Sequence, residues 1–518
     1  MNSKRCDSPI VMIGLDAAEP RLLEQWMSEG TLPNLLRLRN QGGYGRLQST
    51  ADWLAGSPWA TFYTGQMPGE HGLYHYLQWQ PDKMAYARPA PDWLPLRPFW
   101  RDLSESAGKK LVVFDLPMTF PPEPFNGVEI SGWATHDRLF PTASYPASTM
   151  NWLSEQFGQP LLNEEVGGCQ PIGSLLNVRD ELVYATERSG EVACELIRRE
   201  KGDLFICAFG ATHRGGHKLW DLTGVSGADD PVVGAQFSHA LRDVYIACDA
   251  AVGKIVEAAR NDTTFLVFSL HGMGPNTARA DALLPKMLQS VLSGGSNAQQ
   301  QSRKGGYIGR LRKCIPLEWR HSVRQRLPNR LQDRLTAYWR MGDIDWSVTP
   351  AFSLIADLQG YIRINLKGRE RDGIVEPGEE YDRLCDKLIK GISTFVDADT
   401  GEPVTNEIMR VDELFADGKR REKLPDLLVG WSHSPSANHR AITSPQYGTI
   451  AWPMPGKNPD GRSGNHRPEG FLIAVGSGIQ SNSHIADARI VDLAPSVYAM
   501  LGVPIPTEML GKTLFTNQ

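Results

Sequence analysis

The sequence predicts an α/β protein built on a largely parallel sheet with helices on both faces. Two observations carry this. Short, continuous apolar runs recur along the chain: VMIGLD (11–16), KKLVVFDLP (109–117), DLFICAFG (203–210), TTFLVFSLHG (263–272), PDLLVGW (425–431) and FLIAVG (471–476). Each stops at a Gly, Asp or other polar turn residue, the pattern of strands buried on both faces rather than half-exposed ones. Helical stretches lie between them, the first around Arg21–Glu29.

At 518 residues the chain is too long for one small core, and one large domain with a subdomain is expected. Residues 1–284 and 425–518 are expected to form the two parts of a catalytic α/β core. Between 285 and 350 the composition turns Gly, Ser, Gln and Arg rich (SGGSNAQQQSRKGGYIGRLRK) and then basic and helical, which marks an insertion of a loop plus helices. Residues 351–424, with the amphipathic stretch GEEYDRLCDKLIKGISTF, are expected to form a small α+β cap. The chain shows no internal repeat.

A hydrophobic fraction of 41% and a charged fraction of 22% fit a soluble globular protein. With 54 Lys+Arg against 59 Asp+Glu, the net charge of -5 leaves no basic excess for coating a nucleic acid polymer. No apolar run approaches the ~18 residues of a membrane span, and the polar N-terminus lacks a signal-type core. The 7 cysteines are odd in number, scattered and without a CxxC pair. Reduced thiols in a cytoplasmic protein are the expectation, and a disulfide framework is not. The oligomeric state has no sequence signal.

In parallel α/β sheets the working residues sit where strands stop. Asp16, Asp115, His271 and the loop after Phe209 fall at such ends. His213 and His217 are four apart in ATHRGGHKLWD, so one helical turn would point both imidazoles the same way, a metal-chelating spacing. The same spacing arises by chance, and two glycines between them weaken the helix. His466 lies in the Gly-rich loop GRSGNHRPEG, where a histidine is ordinarily a surface residue, and Asp16 serves equally well as a turn cap. Taken together, four histidines and an aspartate around one sheet edge favour a hydrolytic metal site.

In TADWLAGSPWATFYTGQMPGEHG (50–72), Ser57 followed by Pro58 reads as a helix N-cap with proline at the first helical position. The plain alternative is a serine satisfying one amide. The functional one uses the free N–H groups of a helix start to hold an anion beside a metal.

These segments occur in the order found in the alkaline phosphatase superfamily: IGLDAAEP, SPWATFYTGQMPGEHGLYHY, SLHGMGPN, NHRPEGFLIAVGSGI and IVDLAPSVYAMLGVPIPTEMLGKTL. The chain most resembles the type I phosphodiesterase/nucleotide pyrophosphatase branch, and GYIRINLKGRE (360–370) is similar to a segment of that branch's cap. The resemblance covers essentially the whole chain. It implies an alkaline-phosphatase-like fold, a mixed, mainly parallel central sheet flanked by helices, with a metal centre at the strand ends.

Carried over position by position, the resemblance implies Asp16, His217, His271 and His466 as metal ligands. His213 stands where the family has an aspartate and Leu270 where it has another. The family's hydroxyl nucleophile falls on Ala55, two residues from Ser57, the nearest suitable hydroxyl. Ser57 is therefore the candidate catalytic nucleophile, and Pro58 and Trp59 beside it are candidate substrate-binding residues. Two divalent ions ~4 Å apart repel by roughly 17 kcal/mol at an effective dielectric of 20, and only Asp16 remains to offset that. The expectation is one strong site on His213, His217 and His466, with a second site at Asp16 and His271 weak or absent.

The predicted activity is thus a metal-dependent hydrolase or transferase of a phosphate or sulfate ester, acting on a small anionic substrate. Zinc is the first expectation for the metal, with manganese and iron as alternatives. One alternative is a metal-bound hydroxide on three histidines, acting on a different bond without a covalent intermediate. Another is an inactive relative retained as a binding protein, which the lost carboxylates favour and the retained histidines oppose.

Overall fold

The computed structural model describes residues 8–136, 138–161, 168–225, 231–295 and 344–515. Its centre is a ten-stranded sheet in the order Ser483–His484, Gly43–Gln48, Glu469–Val475, Thr264–Ser269, Ile10–Leu15, Leu204–Phe209, Leu111–Phe114, Gly127–Ser131 and Ala143–Tyr145, with Ala488–Arg489 also paired to Gly43–Gln48. The run from Thr264–Ser269 to Gly127–Ser131 is parallel throughout. Glu469–Val475 enters antiparallel between Thr264–Ser269 and Gly43–Gln48. The fold class is therefore the mixed, mainly parallel α/β architecture expected.

Every residue of Ile10–Leu15, Leu204–Phe209 and Thr264–Ser269 is buried. Alternate side chains of one strand enter opposite cores, as the pleat requires. Val11, Ile13 and Leu15 pack under the helices Ile172–Glu200 and Ala240–Ala258. Ile10 and Met12 pack on the other face with Phe62, Phe99 and Tyr498. The Gly43–Gln48, Gly127–Ser131 and Ala143–Tyr145 strands are not continuous apolar runs, and the apolar-run rule passes over them.

The PDLLVGW run does form a strand, Leu427–Trp431, but not in the central sheet. It pairs antiparallel with Gly360–Ile364 and Thr405–Arg410 in a separate four-stranded sheet that also holds Ala351–Leu354. Helices Ala280–Ser293 and Glu379–Ile392 share an apolar core with this sheet. Buried Asp426 pins it, accepting from the Ile364 amide at 2.6 Å and from Arg369 at 2.6 Å. The boundaries expected at 285 and 425 are corrected accordingly. The first cuts the helix Ala280–Ser293, and the second assigns to the core a strand that belongs to the second sheet. The chain rejoins the central sheet only at Glu469–Val475. The basic stretch expected within 285–350 falls at 296–343, outside the described residues.

Among the described residues no helix is long and apolar enough to cross a membrane. Among the described residues, Cys194, Cys207, Cys248 and Cys385 are buried and not in disulfides.

Candidate active site

The parallel strands all deliver their C-terminal ends to one sheet edge, and the candidate side chains stand on the turns there. Asp16 follows Ile10–Leu15, and its amide donates to the Phe209 carbonyl at 3.0 Å, extending the ladder by one bond. Its carboxylate is 1% exposed. Oδ1 accepts the Trp59 indole N–H at 2.9 Å, while Oδ2 lies 3.0 Å from His213 Nδ1 and 3.3 Å from His136 Nε2. Trp59, expected to bind substrate, thus holds Asp16 and packs its ring on Phe62 and Phe268.

His213 and His217 sit on the helix Ala211–Lys218, which the two intervening glycines do not interrupt. Those glycines have a packing reason. A Cβ on Gly464 would lie 2.1 Å from the Gly216 carbonyl oxygen, and one on Gly216 would lie 2.6 Å from Met273 Cγ. Helix and strand touch backbone to backbone because Gly464 carries no side chain, and the missing side chain of Gly216 leaves room for Met273. The contact seats the His217 ring, whose Nδ1–H donates to the Gly464 carbonyl at 3.0 Å.

His466 lies on the strand Gly464–Arg467, opposite Met273 of Gly272–Pro275. It is buried, not a surface loop residue. The ring centroids of His213, His217 and His466 form a near-equilateral triangle of 4.7, 4.8 and 4.9 Å, with His271 4.7 Å from His466. Burial, with the neighbouring imidazoles, drives the His466 pKa well down, and burial lowers that of His271. Both rings are therefore neutral near pH 7 and carry a free lone pair.

A cation fits this arrangement. The Nε2 atoms of His213 and His217 are 2.9 Å apart. Each ring has an acceptor at Nδ1, the Asp16 carboxylate for His213 and the Gly464 carbonyl for His217, so each keeps its proton there. Two nitrogen lone pairs then face each other, which is unfavourable without a positive charge between them. Both ring nitrogens of His271 and Nδ1 of His466 are buried without a hydrogen-bond partner, a costly state that a metal relieves. The donor atoms form two groups, His213–His217–His466 and Asp16–His213–His271, each within 4.8 Å. The cavity beside them, lined by Asp16, His213, His271 and His466, measures about 20 Å³, room for an ion or one water.

Ser57 does not join the cluster. Its hydroxyl is fully buried, 2.7 Å from the Leu54 carbonyl oxygen and 2.7 Å from Thr50 Oγ1. Thr61 Oγ1 continues this chain, 3.3 Å from Thr50 Oγ1 and 3.0 Å from His71 Nε2. Ala55, Gly56, Pro58 and Trp59 line the cavity, and Ser57 is not among the lining residues. The capping role is also corrected. Ser57 precedes the helix Pro58–Thr64, but its side chain makes no cap hydrogen bond. Its amide is committed to the Leu54 carbonyl at 2.9 Å, and Pro58 has no N–H, so neither donor is available to an anion. Leu270 packs in the apolar core with Phe268 and Leu116, so no second carboxylate is supplied there.

A histidine and an aspartate of the cavity lining escape sequence reasoning. His136 follows the Gly127–Ser131 strand, itself unread because its apolar residues do not run together. Buried Asp115 sets its loop, accepting the Trp133 and Ala134 amides at 2.7 Å each. A histidine just past a strand end, in WATHDR, was the available signal. Asp357 reaches the cavity from the second sheet, 3.5 Å from His75 and 3.4 Å from Arg462, and only tertiary structure brings it there.

A buried histidine and aspartate cluster at the C-terminal edge of a mainly parallel sheet is the arrangement expected of the alkaline phosphatase superfamily. The chain belongs to the type I phosphodiesterase/nucleotide pyrophosphatase family, whose model matches residues 10–432. No curated protein matches its sequence. Among solved structures it is similar to the phosphonoacetate hydrolase of Sinorhizobium meliloti 1021 in complex with phosphonoacetate, at 12% identity over 96% of this chain and 95% of that one, TM-score 0.50. It is also similar to human ectonucleotide pyrophosphatase/phosphodiesterase 5, at 12% identity over 96% of each chain, TM-score 0.45. Membership supports phosphoester hydrolysis as the chemistry.

Proposed function

We propose that this protein is a metal-dependent phosphodiester hydrolase in which water attacks the ester directly, without a seryl intermediate. The observation that carries this reading is the pair of Nε2 atoms of His213 and His217 facing each other at 2.9 Å, with His466 closing the triangle. These three imidazoles would hold a divalent ion, zinc by the nitrogen donor set. Such an ion, when bound, polarises the ester oxygen and makes water a better nucleophile at neutral pH.

The chain's own residues do the rest. Asp16 and the Gly464 carbonyl fix the tautomers of His213 and His217, and Trp59 fixes Asp16. Where the family's hydroxyl would stand, Ala55 lines the cavity, which supports direct attack by water. The described lining carries two carboxylates, Asp16 and Asp357, and no Lys or Arg. At the mouth of this cavity a dianionic monoester would meet no side-chain cation among the lining residues, so a singly charged phosphodiester suits the lining better. A cytoplasmic setting belongs to the same reading.

The test is turnover of bis(4-nitrophenyl) phosphate, 4-nitrophenyl phosphate and 4-nitrophenyl sulfate by zinc- and manganese-loaded protein. The diester should be hydrolysed fastest, and a chelator should abolish the reaction. Metal-replete protein that turns over none of them would favour the binding-protein reading, and a monoester preference would overturn the charge argument.

A further inference from the structure

We propose that His213 bridges two divalent cations, one at each ring nitrogen. This inference rests on the metal reading above and extends it. The two donor groups share a single residue, His213. On one side Nε2 meets His217 Nε2 at 2.9 Å, with His466 beside it. On the other, Nδ1 meets Asp16 Oδ2 at 3.0 Å. His271 completes that second group, buried, with neither ring nitrogen hydrogen-bonded.

A single ion on the Nε2 side leaves the His271 nitrogens without a partner. A second ion among Asp16, His271 and His213 Nδ1 satisfies them. Its arrival requires His213 to give up the Nδ1 proton, which leaves to solvent by way of Asp16 Oδ2, and the ring then binds both ions as an imidazolate. The bridge also answers the charge problem posed by the missing carboxylates. The imidazolate places one negative charge between the cations, and the ring holds them further apart than the ~4 Å of an ordinary two-metal pair, so their repulsion is weaker. A histidine at position 213 thereby replaces a carboxylate in charge while changing the geometry of the pair.

Copper serves as the probe, because two Cu²⁺ ions joined through one imidazolate couple magnetically and lose most of their paramagnetic resonance signal. The full-length protein, loaded with Cu²⁺ alone, should hold two ions per chain by elemental analysis with far less than two spins of signal. His271→Asn should hold one ion with a full uncoupled signal, and circular dichroism would verify that it remains folded. Zinc loading of the parent, read by elemental analysis, should likewise give two ions per chain. Two coppers with an uncoupled spectrum would overturn the bridge, as would one ion per chain in the parent, and either result would leave the metal reading standing. Failure to bind any metal would overturn both.

Discussion

The Ser57 hydroxyl oxygen lies 2.7 Å from the Leu54 carbonyl oxygen, inside a buried polar chain that leads through Thr50 and Thr61 to His71. Burial pushes the His71 pKa down to about 3, so its ring is neutral. His71 Nδ1 accepts the Leu73 amide at 3.0 Å, which leaves Nε2–H to donate to Thr61. The chain shapes the 50–57 turn and holds Ser57 away from the cavity.

Ser57→Ala should therefore cost about 1–2 kcal/mol of stability, by leaving buried Thr50 short of a partner, while turnover of a diester changes only a few-fold. Chemical denaturation and steady-state kinetics measure both. A near-total loss of activity in a folded, metal-replete variant would restore Ser57 as nucleophile.

Gly464→Ala removes no candidate ligand, yet its Cβ would fall 2.1 Å from the Gly216 carbonyl oxygen. The strand must shift, carrying with it the carbonyl that orients His217. We expect zinc affinity to fall by ~10-fold or more, the scale of losing an outer partner, and stability by about 1–3 kcal/mol from overpacking. Competition titration against a zinc chelator reads the first effect and thermal melting the second.

Asp115 gives a pH signature. Burial raises its pKa from 3.8 to about 6 against the opposing amides of Trp133 and Ala134. The folded state therefore binds the proton more tightly than the unfolded one. The associated stability is present below about pH 4 and is lost as pH rises through about 6. The shift corresponds to about 3 kcal/mol at 1.36 kcal/mol per pKa unit. Asp115→Asn should flatten the stability profile between pH 4 and 6 relative to the parent. An unchanged profile would contradict this assignment.

Much of the fold was legible because a strand buried on both faces must be apolar throughout, and Ile10–Leu15, Leu204–Phe209 and Thr264–Ser269 are. The ends of those runs located Asp16, His271 and the His213 helix. Leu427–Trp431 shows the limit of that signal, since an apolar run says that a strand is buried but not in which sheet. His136 was hidden behind a strand whose apolar residues do not run together, and Asp357 approaches from another sheet. Ser57 failed for a local reason. A Ser-Pro pair at a helix start says nothing about where the hydroxyl points, and here Thr50 and the Leu54 carbonyl take it.

The central claim is that His213, His217 and His466 converge on one cation. Zinc titration of the metal-free protein, compared with His217→Ala and His466→Ala, tests it most directly. The account predicts tight binding by the parent and a loss of well over ~100-fold in each variant, beyond the 10–100-fold typical of an outer partner, with the fold retained. Parent protein that binds no zinc, or folded variants that bind it as tightly as the parent, would contradict the claim.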